Sequence, residues 1–245
     1  YPDAMQIDGF QVVVYAQQNM LSDVSDIIKA IDPTGNDYLQ ATLLPCKFGD
    51  KWFGIPYSAN ITVWWYRQDW LEEAKLQPPK SWDDIVKIAE VMTKERTIGG
   101  KKVGTYGFGF PGKKTTYGDQ FTYMCMRANS TEMVDENDRV IIDQTPNIDR
   151  AVETLEYLAK LAKFSPPGFL DYGFSEARYT LYGNVTGQLS SAPRVLALAY
   201  DKAKDVYPLL KAVKVPPGPK YDGKEEYSWC ALDTQAVFKE APFAT

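Results

Sequence analysis

Apolar positions along the chain switch repeatedly between strand-like alternation and helix-like spacing, the pattern of an α/β protein. Leu21, Val24, Ile27, Ile28 and Ile31 fall on one helix face, closed by the breaker cluster Asp32-Pro33-Thr34-Gly35. Residues 52–56 and 61–66 are rich in aromatic and β-branched side chains and predict strands, joined by a polar loop at Tyr57-Ser58-Ala59-Asn60. Residues 81–94 predict a helix. Ser81 suits its N-cap, Asp84 stands three residues on as in a capping box, and Trp82, Ile85, Val86, Ala89 and Met92 form its buried face. The Gly99-Gly100-Lys101-Lys102 turn then leads into a strand over 103–110, interrupted by Gly104, Gly107 and Gly109.

Phe121, Met124, Cys125 and Ala128 mark a further helix core. Thr145 is expected to cap the clearest helix of the chain, with Pro146 at its first position, where no N–H is needed. Ile148, Ala151, Val152, Leu155, Leu158, Ala159 and Ala162 give that helix its stripe, and Pro166-Pro167-Gly168 ends the stretch. Another helix is expected over 195–203, then a strand at Val213-Lys214-Val215. The following Pro216-Pro217-Gly218-Pro219 cannot pair inside a sheet and favours a stiff, extended path. It is a candidate crossing between lobes; Tyr106-Gly107 is the other. The two crossings would give a discontinuous first lobe, 1–105 with 216–245, and a second lobe, 106–215.

Composition narrows the chemistry. With 245 residues, 44% of them hydrophobic, the chain can bury a substantial core. Its net charge of -5 argues against binding a phosphate backbone. It contains no histidine, which excludes Ser-His-Asp and Cys-His catalysis and any zinc site built on His. Cys46, Cys125 and Cys230 are far apart and fit no zinc spacing; they read as buried thiols, or as one long-range disulfide with a thiol left over. No paired-carboxylate motif, phosphate loop or metal cluster stands out, so neither catalysis nor a cofactor nor a metal is expected. No apolar run is long enough for a membrane span. Tyr1-Pro2-Asp3 opens like the interior of a domain and Phe243-Ala244-Thr245 closes without a finishing element. Both ends of a larger protein are therefore expected to be missing, a signal peptide or lipobox among them.

Several short patterns then fall in one order. Gly54-Ile55-Pro56-Tyr57 follows Lys51-Trp52-Phe53, and Tyr66-Arg67-Gln68-Asp69-Trp70-Leu71 comes next. Leu76-Gln77-Pro78-Pro79-Lys80-Ser81-Trp82-Asp83-Asp84 opens a helix, and Tyr106-Gly107 begins a strand. Pro2-Asp3, the acidic turn Asp135-Glu136-Asn137-Asp138-Arg139-Val140 and Val215-Pro216-Pro217-Gly218-Pro219 complete the series. The order resembles family 1 extracellular solute-binding proteins, the sugar-type receptors of ABC importers, over nearly the whole chain. The resemblance implies a two-lobed periplasmic-binding-protein type II-like α/β fold with a ligand cleft between the lobes, incomplete at both ends. It implies a periplasmic or extracellular monomer, lipid-anchored in some members, that captures a solute by hinge closure and hands it to a membrane permease without chemistry. Arg67 stands where the family often has Asn. Gly187-Gln188-Leu189-Ser190-Ser191-Ala192-Pro193-Arg194 and Ser228-Trp229 also depart from its pattern.

A sugar offers apolar C–H faces to aromatic rings and a ring of hydroxyls to paired polar groups. In the segments that the resemblance places at the cleft, the expected ligand set is Tyr57, Asn60, Trp65, Tyr117, Asp119, Ser191, Arg194 and Trp229. Six of them have a structural alternative. Tyr57, Trp65 and Trp229 also suit core packing, Asn60 a turn, Asp119 an N-cap and Arg194 a surface ion pair. Trp64 and Trp65 point to opposite faces of one strand. The solute is read as a sugar or oligosaccharide, with a polyol, a peptide or a glycerol phosphate as the non-sugar alternatives. A glycoside hydrolase, which needs two acidic groups suitably apart, is the competing enzyme reading.

Overall fold

A computed structural model describes residues 3–137, 139–224 and 227–241. Pro2, Asp138 and the closing Phe243-Ala244-Thr245 lie outside the described residues. In chain order the strands are β1 (Ala4–Asp8), β2 (Lys47–Phe48), β3 (Lys51–Trp52), β4 (Ile55–Ile61), β5 (Val63–Arg67), β6 (Lys94–Ile98), β7 (Lys101–Thr105), β8 (Gln188–Ser191), β9 (Leu210–Val213) and β10 (Cys230–Val237). The α-helices are α1 (Gly9–Gln17), α2 (Ser25–Ile31), α3 (Gln40–Leu43), α4 (Gln68–Glu73), α5 (Trp82–Met92), α6 (Thr116–Ala128), α7 (Asn147–Ala162), α8 (Phe174–Tyr182) and α9 (Arg194–Lys202).

The chain forms two compact units, Tyr1–Ile61 with Cys230–Thr245, and Thr62–Trp229. The divisions between these units fall elsewhere than at 106 and 216. The reason is packing. β5 pairs with β8 and β9, and α5 shares a core with α6 and α7, so residues 62–105 fold with the later helices and strands of the second unit.

In the first unit, β10 is the middle strand of the sheet β1-β10-β4 and runs antiparallel to both neighbours. Leu232, Thr234 and Ala236 alternate inward along it. Ile7, Val12, Leu21, Ala236, Phe238 and Ala241 form the core beneath. α1 lies close against the sheet because Gly54 leaves room: a Cβ there would stand 2.9 Å from Cγ2 of Val12. Two expectations change here. Residues 57–60 are no loop but the middle of β4, since Ser58, Ala59 and Asn60 pair with Asp233, Leu232 and Ala231. The helix after Leu21 begins only at Ser25, because Leu21 bridges to Phe238 as a short strand contact.

In the second unit, β5 is the middle strand of β8-β5-β9, antiparallel to both. Both its faces are covered, which is why its sequence is apolar throughout most of its length. Trp64 enters one core, stacked on Phe108 at 5.1 Å beside Phe121, Met124, Leu158 and Leu161. Trp65 enters the other, with Tyr117, Leu181, Leu189, Val195 and Leu210. The opposite-face reading of this pair therefore holds. Gln188 is fully buried; its Oε1 accepts from Trp64 Nε1 at 3.1 Å and its Nε2 donates to the Ile85 carbonyl at 3.1 Å.

The helix α5 has its expected cap, Ser81 Oγ accepting from Asp84 N at 3.2 Å, while the Asp84 carboxylate reaches back to Lys80 N. Other details differ. Gly107 to Phe110 leave the hairpin β6-β7 and run over α5, where a Cβ on Gly107 would stand 2.0 Å from the Ala89 carbonyl oxygen. Pro146, not Thr145, occupies the N-cap of α7. That helix buries Ala151, Thr154, Tyr157, Leu158 and Leu161, and leaves Ile148, Val152 and Leu155 exposed. The stacking of Tyr157 on Trp82 at 4.0 Å fixes this rotation. All three cysteines are free thiols, Cys46 and Cys125 buried and Cys230 exposed.

Candidate functional site

The expected ligand residues are shared between the units. In the first, alternation along β4 puts Ser58 and Asn60 on one face, beside Asp233 of β10. Asn60 Nδ2 donates to Asp233 Oδ2 at 3.0 Å and to Ser58 Oγ at 3.3 Å. Gln6 of β1 donates to the other oxygen, Oδ1, at 3.1 Å. The Asp233 carboxylate is thus held by an amide from each flanking strand. Asp8 is its register partner on β1. Partial burial, and then the Asp233 charge, raise the Asp8 carboxyl above the usual aspartate range. Tyr57 is exposed, and its phenol is raised by desolvation and by the same carboxylate. The result is a ledge of carboxylate and amide oxygens, suited to accept bonds from hydroxyl groups.

In the second unit, two aromatic side chains pin the end of β8 by its carbonyls. Trp65 Nε1 donates to the Ser191 carbonyl at 2.9 Å, and the Tyr117 hydroxyl donates to that of Ser190. Trp65, Tyr117 and Ser191 are all buried, so these three are brought together as a support. Burial pushes the Tyr117 phenol up to about 12, against the pull of the Arg178 charge. The Tyr117 ring stacks on Phe174 at 4.4 Å, and the Arg178 guanidinium lies 5.0 Å over Phe174. Arg178 Nε donates to Ser191 Oγ at 3.1 Å. Arg194 is exposed at the first position of α9, and Asp119 is exposed in the first turn of α6. N-capping of α6 falls to Thr115, so Asp119 is not that cap.

Trp229 stands apart from this group. It packs on the core that holds Trp64 and meets Tyr123 edge-on at 5.8 Å, with its indole N–H buried and unpartnered. Its carbonyl accepts from Thr62 N at 2.8 Å, and Ser228 Oγ donates to the Thr62 carbonyl. Arg67 is buried and structural: it makes a two-pronged bond to Asp69 at 2.8 and 2.7 Å, bonds Asn184, and lies over Trp70.

Sequence reasoning missed Gln6, Asp8 and Asp233, and Phe174 and Arg178. The first group was readable from alternation in Cys230-Ala231-Leu232-Asp233-Thr234-Gln235-Ala236-Val237, which sets Asp233 opposite Leu232 and Thr234. The second needed α8, whose i, i+4 pair Phe174 and Arg178 shares a face. Among the described residues no cluster of three or more His, Cys, Asp or Glu is placed to hold a metal ion. Among them, too, no helix is long and apolar enough to cross a membrane.

Comparison with known proteins places this architecture. The maltose-bound MalE3 of T. maritima matches 98% of this chain and 58% of its own, at 18% identity and a TM-score of 0.83. A solute-binding protein from Thermotoga lettingae TMO, bound with α-D-tagatose, matches 99% of this chain and 60% of its own, at 20% identity and a TM-score of 0.82. These likenesses show the two-lobed fold of periplasmic binding proteins. By sequence, YcjN of Escherichia coli K12, named as a putative ABC transporter periplasmic-binding protein, is 28% identical over 50% of this chain and 26% of its own length. The y4oP protein of Sinorhizobium fredii NGR234, named as a probable amino-acid ABC transporter periplasmic-binding protein, is 26% identical over 68% of this chain and 38% of its own. The chain thus spans well under two thirds of the length of these relatives. The family profile described as bacterial extracellular solute-binding protein matches residues 1–242, and the chain belongs to that family.

Proposed function

We propose that this chain is part of an extracytoplasmic receptor of an ABC importer, which captures a sugar or oligosaccharide by hinge closure and passes it unchanged to the membrane permease. The observation that carries this reading is the fold likeness to proteins that hold saccharides or sugar alcohols, among them maltose, tagatose, D-mannitol, acarbose and ribitol. The chemistry of the residues agrees with it. The Asp233 ledge accepts hydroxyl donors, and Tyr57 and Trp229 supply aromatic surface. In this reading Tyr57, Asn60, Asp119, Arg194 and Trp229 meet the solute. Trp65, Tyr117 and Ser191 hold the β8–α9 turn from behind, although all eight were expected to touch ligand. The chain passes between the units at Ile61–Thr62 and at Trp229–Cys230, and these are the proposed hinge strands.

The receptor works outside the cytoplasm as a monomer, in the periplasm or lipid-anchored at the membrane surface. Binding without turnover sets it apart from a glycoside hydrolase. Titration of the natural protein with oligosaccharides, followed by tryptophan fluorescence and small-angle scattering, tests this. Saturable binding with a decrease in radius of gyration is expected. Release of shortened saccharides would overturn the reading, and so would binding without compaction.

A further inference from the structure

The β8–α9 turn carries more positive charge than a site for a neutral sugar requires. Arg178 is partly buried on α8, and its Nε is spent on Ser191 Oγ at 3.1 Å. Its guanidinium lies over Phe174, which stacks in turn on the buried Tyr117. Arg194 follows three residues after Ser191. Among the described residues, no Asp or Glu oxygen lies within 4.0 Å of a nitrogen of either arginine. The groups that act on Arg178 are burial, two tyrosines and Arg194 itself; burial and the like charge of Arg194 both pull its affinity for the proton down.

Three other arginines of this unit withdrawn from water have a carboxylate, while the partly buried Arg150 bonds the Ser130 carbonyl. Arg67 has Asp69, Arg96 has Glu73, and Arg127 has Glu132. A guanidinium withdrawn from water, beside a second one and without a carboxylate, costs stability unless a negative group arrives from outside. Arginine's planar fork matches carboxylate and phosphate oxygens two at a time. With Nε engaged by Ser191, the outer nitrogens of Arg178 remain for such a group.

We propose that Arg178 and Arg194 form a subsite for an anionic group of the solute, so that the receptor's solute is an acidic saccharide, one bearing a carboxylate or a phosphate. The inference rests on the receptor reading above and names its ligand class. Phe174 and Ser191 act as positioning residues that hold the Arg178 fork.

Calorimetric titration of the natural, full-length protein tests it with matched probes. These are oligogalacturonate against its methyl ester, and D-glucose against D-glucuronate and D-glucose 6-phosphate. The acidic member of a set is expected to bind at least tenfold tighter, and the uronate and phosphate arms tell which anion is preferred. R194Q, at an exposed position, is expected to lose about tenfold for the acidic probe, the loss of one charge-assisted bond. It should weaken the neutral probe less than the acidic one, so that the preference between them narrows, and should leave the melting temperature unchanged. R178Q should also lose affinity for the acidic probe, and R178K should recover part of the loss. A neutral saccharide bound as tightly as its acidic partner would overturn this inference and leave the receptor reading standing. Absence of binding to every saccharide would overturn both.

Discussion

Gln188 offers the sharpest test of how the second unit is held together. The substitution Gln188→Met keeps length and volume while removing both polar ends. In the native protein, Gln188 Oε1 accepts from Trp64 Nε1 at 3.1 Å and Nε2 donates to the Ile85 carbonyl at 3.1 Å, at a site with no solvent exposure. Two ordinary hydrogen bonds contribute about 1 kcal/mol each, and a buried indole N–H left unpaired costs ~1–3 kcal/mol. Methionine fills the space with a flexible, polarisable chain, so little is added for a cavity. The expected loss is about 2–4 kcal/mol. Urea unfolding followed by tryptophan fluorescence should show a lower midpoint with unchanged slope. A loss below about 0.5 kcal/mol would refute the reasoning, because it would mean that the network is energetically idle. Gln188→Glu adds a check on sign. A carboxyl at this site has its pKa raised above the ordinary ~4.3 by burial. Its deficit against the native protein should therefore be small below that pH and grow as pH rises towards the folded-state pKa.

Three further outcomes rest on the geometry. Gly107→Ala puts a Cβ 2.0 Å from the Ala89 carbonyl oxygen and should cost ~3 kcal/mol or more in thermal unfolding, a result contradicted by a native-like melting curve. Asp233→Asn should lower the Asp8 carboxyl pKa in an NMR titration, since the Asp233 charge helps to raise it. Because the charged form of Asp8 is disfavoured in the fold, its contribution to stability is lost as pH rises through its raised pKa, and Asp8→Asn should stabilise the protein above that range. Finally, one of the three thiols should react with a disulfide reagent in the native state, Cys230, and all three after unfolding. Burial raises Cys230 as well, so the native reaction should be slower than that of a free thiol and accelerate with pH; two fast native equivalents would contradict the burial of Cys46 and Cys125.

What the sequence revealed depended on how local the determinant was. Ser81 and the Trp82–Met92 stripe are set within a few residues, and α5 was legible almost to its ends. Trp64 and Trp65 followed from the two-residue repeat of a strand. The Tyr57–Asn60 stretch misled because its composition is that of a turn, whereas its strand geometry comes from β10, 170 or more residues away in sequence. The α7 stripe misled because it holds more apolar residues than one core needs, and the Trp82–Tyr157 stack decides which are buried. The division into units was misplaced for a similar reason. Pro-rich and Gly-rich segments look like crossings, while the chain in fact passes between units in the β4–β5 and Trp229–β10 strands. For the candidate site, alternation marks the position of Asp233 in its strand, but no local motif marks its role or that of Arg178. Their significance lies in partners on other strands and helices.

Capture of a saccharide without chemistry can be read out in one experiment, native mass spectrometry of the natural protein incubated with a mixed pool of acidic and neutral oligosaccharides. A receptor gives a saturable one-to-one adduct whose mass equals that of an intact saccharide, and leaves the pool unchanged after prolonged incubation. A protein that retains no saccharide, or a pool that is shortened over time, would contradict capture without turnover.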